Sequence, residues 1–148
     1  MKKILLGIFL SLNLFAYEVG DTLKNTMAQH LNIDNSKLYV IDFYASWCGS
    51  CKKELPLISQ ANIQIDTNKV EFLGINVDKD IQASMEFNKE TEINFRVIND
   101  SNSIIVSQFN PIGIPTLYYV KNKKIMKIIT GALDNIDKQI LNDIKEME

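Results

Sequence analysis

The chain has two cysteines, Cys48 and Cys51, in the segment Trp47-Cys48-Gly49-Ser50-Cys51, directly after its only tryptophan. Two thiols at this spacing can close into a disulfide and reopen. The chemistry they suggest is thiol–disulfide exchange, in which a thiolate attacks a disulfide sulfur and a second thiolate releases the mixed disulfide. The segment lies where an apolar run, Leu38 to Tyr44, gives way to a helical pattern beginning near Cys48. The first turn of a helix carries unpaired N–H groups and a partial positive charge. A Cys48 thiolate there is stabilised, and its pKa should fall below the free value of about 8.5. Cys51, nearly one turn further on, faces the same side. These positions suit Cys48 as the attacking sulfur and Cys51 as the resolving one. Two other uses stay open. A structural disulfide closing so short a loop restricts the unfolded chain little. A metal site would need His30, the only histidine, and a carboxylate to join the cysteines.

The surrounding elements must hold that pair. Leu38–Tyr44 is rich in β-formers and nearly continuous in apolar residues, which suits a strand covered on both faces. A helix is expected from about Cys48 to Asn62, with Leu55, Ile58 and Ala61 inward. Val70–Val77 reads as a second buried strand. Asp78 or Asp80 is placed to cap a helix over about 81–92. A short strand at 95–98 follows, and Asp100 can cap a helix reaching Phe109. Pro111, Gly113 and Pro115 interrupt the chain before a strand at Thr116–Val120. Lys121-Asn122-Lys123 is a tight polar turn into Lys124–Thr130, an antiparallel hairpin. Gly131 stops it. Asp134 can cap a last helix with Ile136, Ile140, Leu141, Ile144 and Met147 on one face. Residues 17–36 look irregular apart from a short helical stretch near Thr26–Leu31. This order predicts an α/β fold with a mixed central β-sheet and helices on both faces.

The 148 residues, 46% hydrophobic and 23% charged, suit one domain. A net charge of −2 gives no basic field for nucleic acid. Arg96 is the only arginine among 16 basic residues, so bidentate phosphate clamps are not expected. Met1-Lys2-Lys3, an apolar stretch from Ile4 to Phe15 broken by Ser11 and Asn13, and Ala16 before a polar run make a secretory signal pattern. Leu14 departs from the small residue usual at its place. As a helix, Ile4–Ala16 would span about 20 Å, against about 30 Å for a hydrocarbon core, which disfavours the alternative of an uncleaved anchor. Residues 1–16 therefore read as an export signal and 17–148 as one monomeric, periplasmic domain in an oxidising compartment. No linker or repeat divides it.

The stretch from Asp42 to Pro56, Asp-Phe-Tyr-Ala-Ser-Trp-Cys-Gly-Ser-Cys-Lys-Lys-Glu-Leu-Pro, resembles the active-site segment of thioredoxin-fold proteins. It is most similar to that of the TlpA/ResA-like thiol-disulfide oxidoreductases. Gly113-Ile114-Pro115-Thr116 resembles the loop that holds their cis-proline opposite the cysteines. Thr130-Gly131-Ala132-Leu133 resembles the glycine turn into their final helix. The likeness covers roughly residues 19–147. It implies a thioredoxin-like fold whose only redox group is the Cys48–Cys51 disulfide, with no other cofactor and no metal.

The same resemblance assigns supporting roles. Asp42, six residues before Cys48 in an apolar strand, would accept the Cys51 proton through water. Burial would raise its pKa toward neutrality, as a general base there requires. The competing reading is a strand-end Asp facing solvent. Many TlpA-like proteins carry Asn at this position, so Asp42 is a departure toward thioredoxin. Glu54 would tune the cysteine pKa values, or else be a solvated helix-surface residue. Pro56, inside the helix, removes one backbone hydrogen bond and should kink it. A cis Ile114–Pro115 bond would expose backbone at Gly113 and Ile114 for an extended substrate to pair with. Trp47 would face substrate or pack as a partly buried ring on the helix start. Tyr44, Tyr118 and Tyr119 read as core, His30 as surface, and the Lys121–Lys127 cluster as a solvated hairpin.

No cation lies between the cysteines to over-stabilise a thiolate, which tilts the reading toward a reductant, and a carboxylate at Glu54 pushes the same way. The resemblance implies a membrane electron donor of CcdA/DsbD type. It also implies a disulfide-bearing exported substrate, the Cys-x-x-Cys-His of apocytochrome c before haem attachment. The alternatives are a DsbA-like oxidase or isomerase, a metal-holding binding module, and a thiol peroxidase, for which Cys48 lacks the Pro/Thr context.

Overall fold

The computed structural model describes residues 16–147, so the export-signal reading falls, but for Ala16, outside the described residues. The elements are α1 (Asn25–His30), β1 (Leu38–Tyr44), α2 (Gly49–Asn62), β2 (Val70–Asn76), α3 (Ile81–Glu90), β3 (Arg96–Asn99), α4 (Ile104–Phe109), β4 (Thr116–Lys121), β5 (Lys124–Thr130) and α5 (Ile136–Met147). The sheet order is β3-β2-β1-β4-β5. β1 pairs parallel with β2 and antiparallel with β4, and β5 returns antiparallel on β4. The mixed central sheet expected from the order of elements is borne out. Among the described residues no helix is long and apolar enough to cross a membrane.

Every residue of β1 is buried, which explains its unbroken apolar run. Its two faces serve two cores, because successive side chains alternate. Tyr39, Ile41 and Phe43 pack with Met27 of α1 and Phe109 of α4. Leu38 and Val40 pack with Ile58 and Ala61 of α2 and with Ile136, Ile140 and Ile144 of α5. Tyr44, on that second face by parity, packs with Cys48, Cys51 and Leu55. The spacing that marked α5 as amphipathic is thus the spacing that covers β1 and β4.

Both expected helix caps are borne out in detail, and the reading of the hairpin lysines is corrected. Asp100 does not directly precede its helix; α4 begins at Ile104, and the Asp100 carboxylate reaches forward to accept from Ile105 N and Val106 N at 3.0 and 2.7 Å. Of the two candidate caps for α3, Asp80 serves, accepting from Gln82 N and Ala83 N. The Lys121–Lys127 cluster is not wholly solvated: Lys127 pairs at 2.6 Å with Asp143, which is buried under it, and Lys121 Nζ donates to the Met147 carbonyl. The hairpin turn holds Asn122 and Lys123 at φ 52° and 62°, the left-handed pair of a two-residue hairpin loop.

Gly74 of β2 lies opposite Asp42 in the parallel register. A Cβ at this position would come within 2.9 Å of Tyr44 Cε1 and 3.2 Å of Phe95 Cε2. Gly74→Ala is therefore expected to destabilise the fold by about 1–3 kcal/mol through overpacking, read as a lowered urea midpoint. An unchanged midpoint would mean that both rings step aside without cost.

Candidate active site

Cys48 is the N-cap of α2. Its φ and ψ of −92° and 100° are extended, and its sulfur accepts from Cys51 N at 3.2 Å. The two sulfurs are joined as a disulfide across a Cα–Cα separation of 5.3 Å. When the pair is reduced, that N–H and the positive helix end remain aimed at Cys48, the arrangement that favours a thiolate. Access differs between the two: Cys48 is 7% exposed and Cys51 is 0%. An incoming disulfide reaches Cys48 first, and Cys51 is held behind it. Ser50 Oγ lies 3.5 Å from Cys48 Sγ.

The turn that delivers Cys48 is tied down from β2. Asp78 accepts from Ser46 N and from Ser46 Oγ, both at 2.9 Å. Asp78 N in turn donates to Asn76 Oδ1 at 2.8 Å, and Val77 N to the Tyr44 carbonyl. Asp78 was legible only as a possible helix cap; its use lies 32 residues away in sequence. Nothing local in Asn76-Val77-Asp78 announces it.

Facing the cysteines, the Ile114–Pro115 bond is cis. Thr116 Oγ1 donates to the Gly113 carbonyl at 2.6 Å, and Gly131 N donates to the Pro115 carbonyl at 2.9 Å. Gly131 itself stands at φ 84°, where a side chain would be strained. Ile114 packs against the cluster containing Cys48 and Cys51. Gly113 is exposed. Trp47 is 70% exposed, so the partly buried ring gives way to a solvent-facing one, and Ile112 is 96% exposed. Ile112 was not singled out from sequence; an exposed Ile three residues before a proline carries no signal of its own. His30 is exposed, and among the described residues no three His, Cys, Asp or Glu side chains are grouped to hold a metal. α2 runs through Pro56 to Asn62.

Two carboxylates lie behind the cysteines. Asp42 is 3% and Glu54 4% exposed, which overturns the solvent-facing alternative for both. By alternation Asp42 sits between Val40, packed with Ile58, and Tyr44, packed with Cys51 and Leu55. It is therefore on the sheet face beneath the first turns of α2. Burial pushes Asp42 well above the usual carboxylate range, and the Glu54 charge adds to this. Burial raises Glu54 to about 7, against a hydrogen bond from the Leu133 backbone that favours its charged form.

The sequence matches the AhpC/TSA family over residues 19–129. The chain belongs to that family. Among curated relatives, ResA of Oceanobacillus iheyensis, named a thiol-disulfide oxidoreductase, is 28% identical over 86% of this chain and 73% of its own length. ResA of Bacillus subtilis, named likewise, is 25% identical over 75% of this chain. The match spans 64% of that relative's length. Among solved structures, a thiol:disulfide interchange protein DsbE from Chlorobium tepidum superposes with a TM-score of 0.76 over 88% of this chain and 98% of its own, at 19% identity. It shares the fold. The resemblance to thioredoxin-fold, ResA-like proteins read from the motifs is borne out.

Proposed function

We propose that the protein is an extracytoplasmic thiol-disulfide oxidoreductase working as a reductase of disulfides in exported proteins. Its leading substrate is the Cys-x-x-Cys-His disulfide of apocytochrome c, and a CcdA/DsbD-type membrane protein resupplies its electrons. The observation that carries this reading is the asymmetry of the pair: a reachable Cys48 sulfur at the start of α2, against the cis-proline loop, with Cys51 wholly buried behind it. The names of the curated ResA relatives support the same chemistry. Glu54, raised to about 7, is partly ionised near neutrality and favours the reducing direction, since negative charge near a thiol disfavours its thiolate, and a less stabilised thiolate makes the dithiol the better reductant.

A redox titration of the Cys48–Cys51 pair against glutathione and dithiothreitol tests the direction. A potential near or below that of thioredoxin, about −270 mV, is expected; one near that of DsbA, about −120 mV, would make the protein an oxidase instead.

A further inference from the structure

Asn76, the last residue of β2, is fully buried and holds two segments at once. Its Oδ1 accepts from Asp78 N at 2.8 Å, and its carbonyl accepts from Asp100 N at 2.8 Å. Each aspartate spends both carboxylate oxygens on a more distant segment. Asp78 takes Ser46 N and Ser46 Oγ, both at 2.9 Å, in the turn just before Cys48. Asp100 takes Ile105 N and Val106 N at 3.0 and 2.7 Å, in the first turn of α4. Both aspartates are buried. A buried carboxylate is costly unless donors meet it, and every one of these oxygens is met.

The two arms end on opposite sides of the exchange site. α4 has six residues, and Phe109 at its end is wedged against Phe43 and Tyr118, each at a ring-centroid distance of 5.0 Å. A short helix pinned at both ends moves as one piece. Asn110 follows at φ 46°, its N–H on the Val106 carbonyl, and the chain passes to Gly113, Ile114 and Pro115. Ile114 packs against the cluster that contains Cys48 and Cys51. β2 lies between β1, which carries the Cys48 turn, and β3, which leads to α4, so its end reaches both.

We propose that Asp78 and Asp100, joined through Asn76, are positioning residues that set the gap between the Cys48 sulfur and the loop at 113–115, and so the fit of a protein disulfide. This role presupposes the exchange chemistry above. A small disulfide needs only a reachable Cys48 thiolate. A protein segment must lie on the loop while its sulfur meets Cys48 in line with the bond that breaks. An error in the gap is therefore felt by the larger substrate alone. Neither aspartate touches substrate, and neither carries a proton or electron in the exchange.

The test compares two disulfides on the same protein. Ellman's reagent is read as the first release of thionitrobenzoate, and insulin as kcat and KM under recycling by dithiothreitol. Asp78→Ala removes both acceptors of Ser46. Asp100→Asn sets an amide N–H against a backbone N–H of α4, donor against donor. Each is expected to lower kcat/KM for insulin on the order of 10-fold, mostly through KM, with the Ellman rate within about twofold of the wild type. Asp78→Asn should keep the wild-type value, since its amide can still accept from Ser46 N and donate to the Ser46 hydroxyl. Asp78→Ala combined with Asp100→Asn should be no slower than the slower single, because both arms set one gap. Should either variant not fold, Ser46→Ala removes one of the same bonds from the other end and should show the same split between the two disulfides. Unchanged insulin kinetics, or equal losses with both disulfides, would overturn the proposal; the latter mark a merely destabilised site. So would single effects that multiply, or a loss in Asp78→Asn as deep as in Asp78→Ala, which would assign the effect to charge. A wild type inactive toward both disulfides would instead sink the exchange chemistry itself, and the positioning role with it.

Discussion

Cys51→Ser is expected to accumulate as a mixed disulfide with its partner in cell envelopes, while Cys48→Ser captures nothing and reduces insulin no faster than background. Both outcomes follow from access. With Cys51 gone, Cys48 remains at the α2 N-terminus with a route to solvent, so it attacks and then waits for a resolving thiol that never comes. With Cys48 gone, the remaining sulfur is fully buried; no incoming disulfide can align with it without opening the start of α2. The same burial predicts that the Cys48→Ser thiol reacts with Ellman's reagent only as fast as the site opens. Non-reducing electrophoresis with mass spectrometry identifies the trapped partner. A Cys51→Ser protein that traps nothing, beside a wild type that reduces no disulfide, would end the oxidoreductase reading. An adduct on Cys48→Ser as abundant as that on Cys51→Ser would reverse the assignment of attacker and resolver.

What could be read from the sequence was local. The limits of β1 and the end of α2 follow from an unbroken apolar run and a helical period. The motif at Trp47–Cys51 is contiguous, so its place at a strand-to-helix junction was visible in the order of residues. Glu54 was harder. Its position three residues after Cys51 placed it near the site, but whether it was solvated depended on the Leu133 turn arriving from the far end of the chain. Asp78 was harder still, because a carboxylate just after a strand looks like a helix cap, and only the pairing of β1 with β2 brings it to Ser46. Lys127 was misjudged for a related reason: its partner, Asp143, is one polar residue in a helical pattern and sits on another element. Hydrophobic period carries the packing of backbone elements, whereas the partner of a buried charge is a tertiary fact.

The Glu54 carboxylate makes the stability of the oxidised protein depend on pH in a direction opposite to that of an ordinary paired acid. In the unfolded chain Glu54 titrates near 4.5, and in the fold near 7. Between those values the folded protein keeps a proton that the unfolded chain has released, so stability falls as pH rises through the window. Below the lower value both states are protonated and the contribution is fully present; above the upper one the burial of charge is felt in full. Gln at this position occupies similar space and never ionises. Glu54→Gln should therefore gain on the wild type as pH rises from 4 to 8, by about 3 kcal/mol for a shift of this size, measured by urea unfolding of the disulfide form. Asp42 is displaced in the same direction, so Asp42→Asn carries the same sign, and combining the two should flatten the profile beyond either alone. A wild-type profile parallel to that of Glu54→Gln across the whole range would show that Glu54 meets water as freely in the fold as in the unfolded chain.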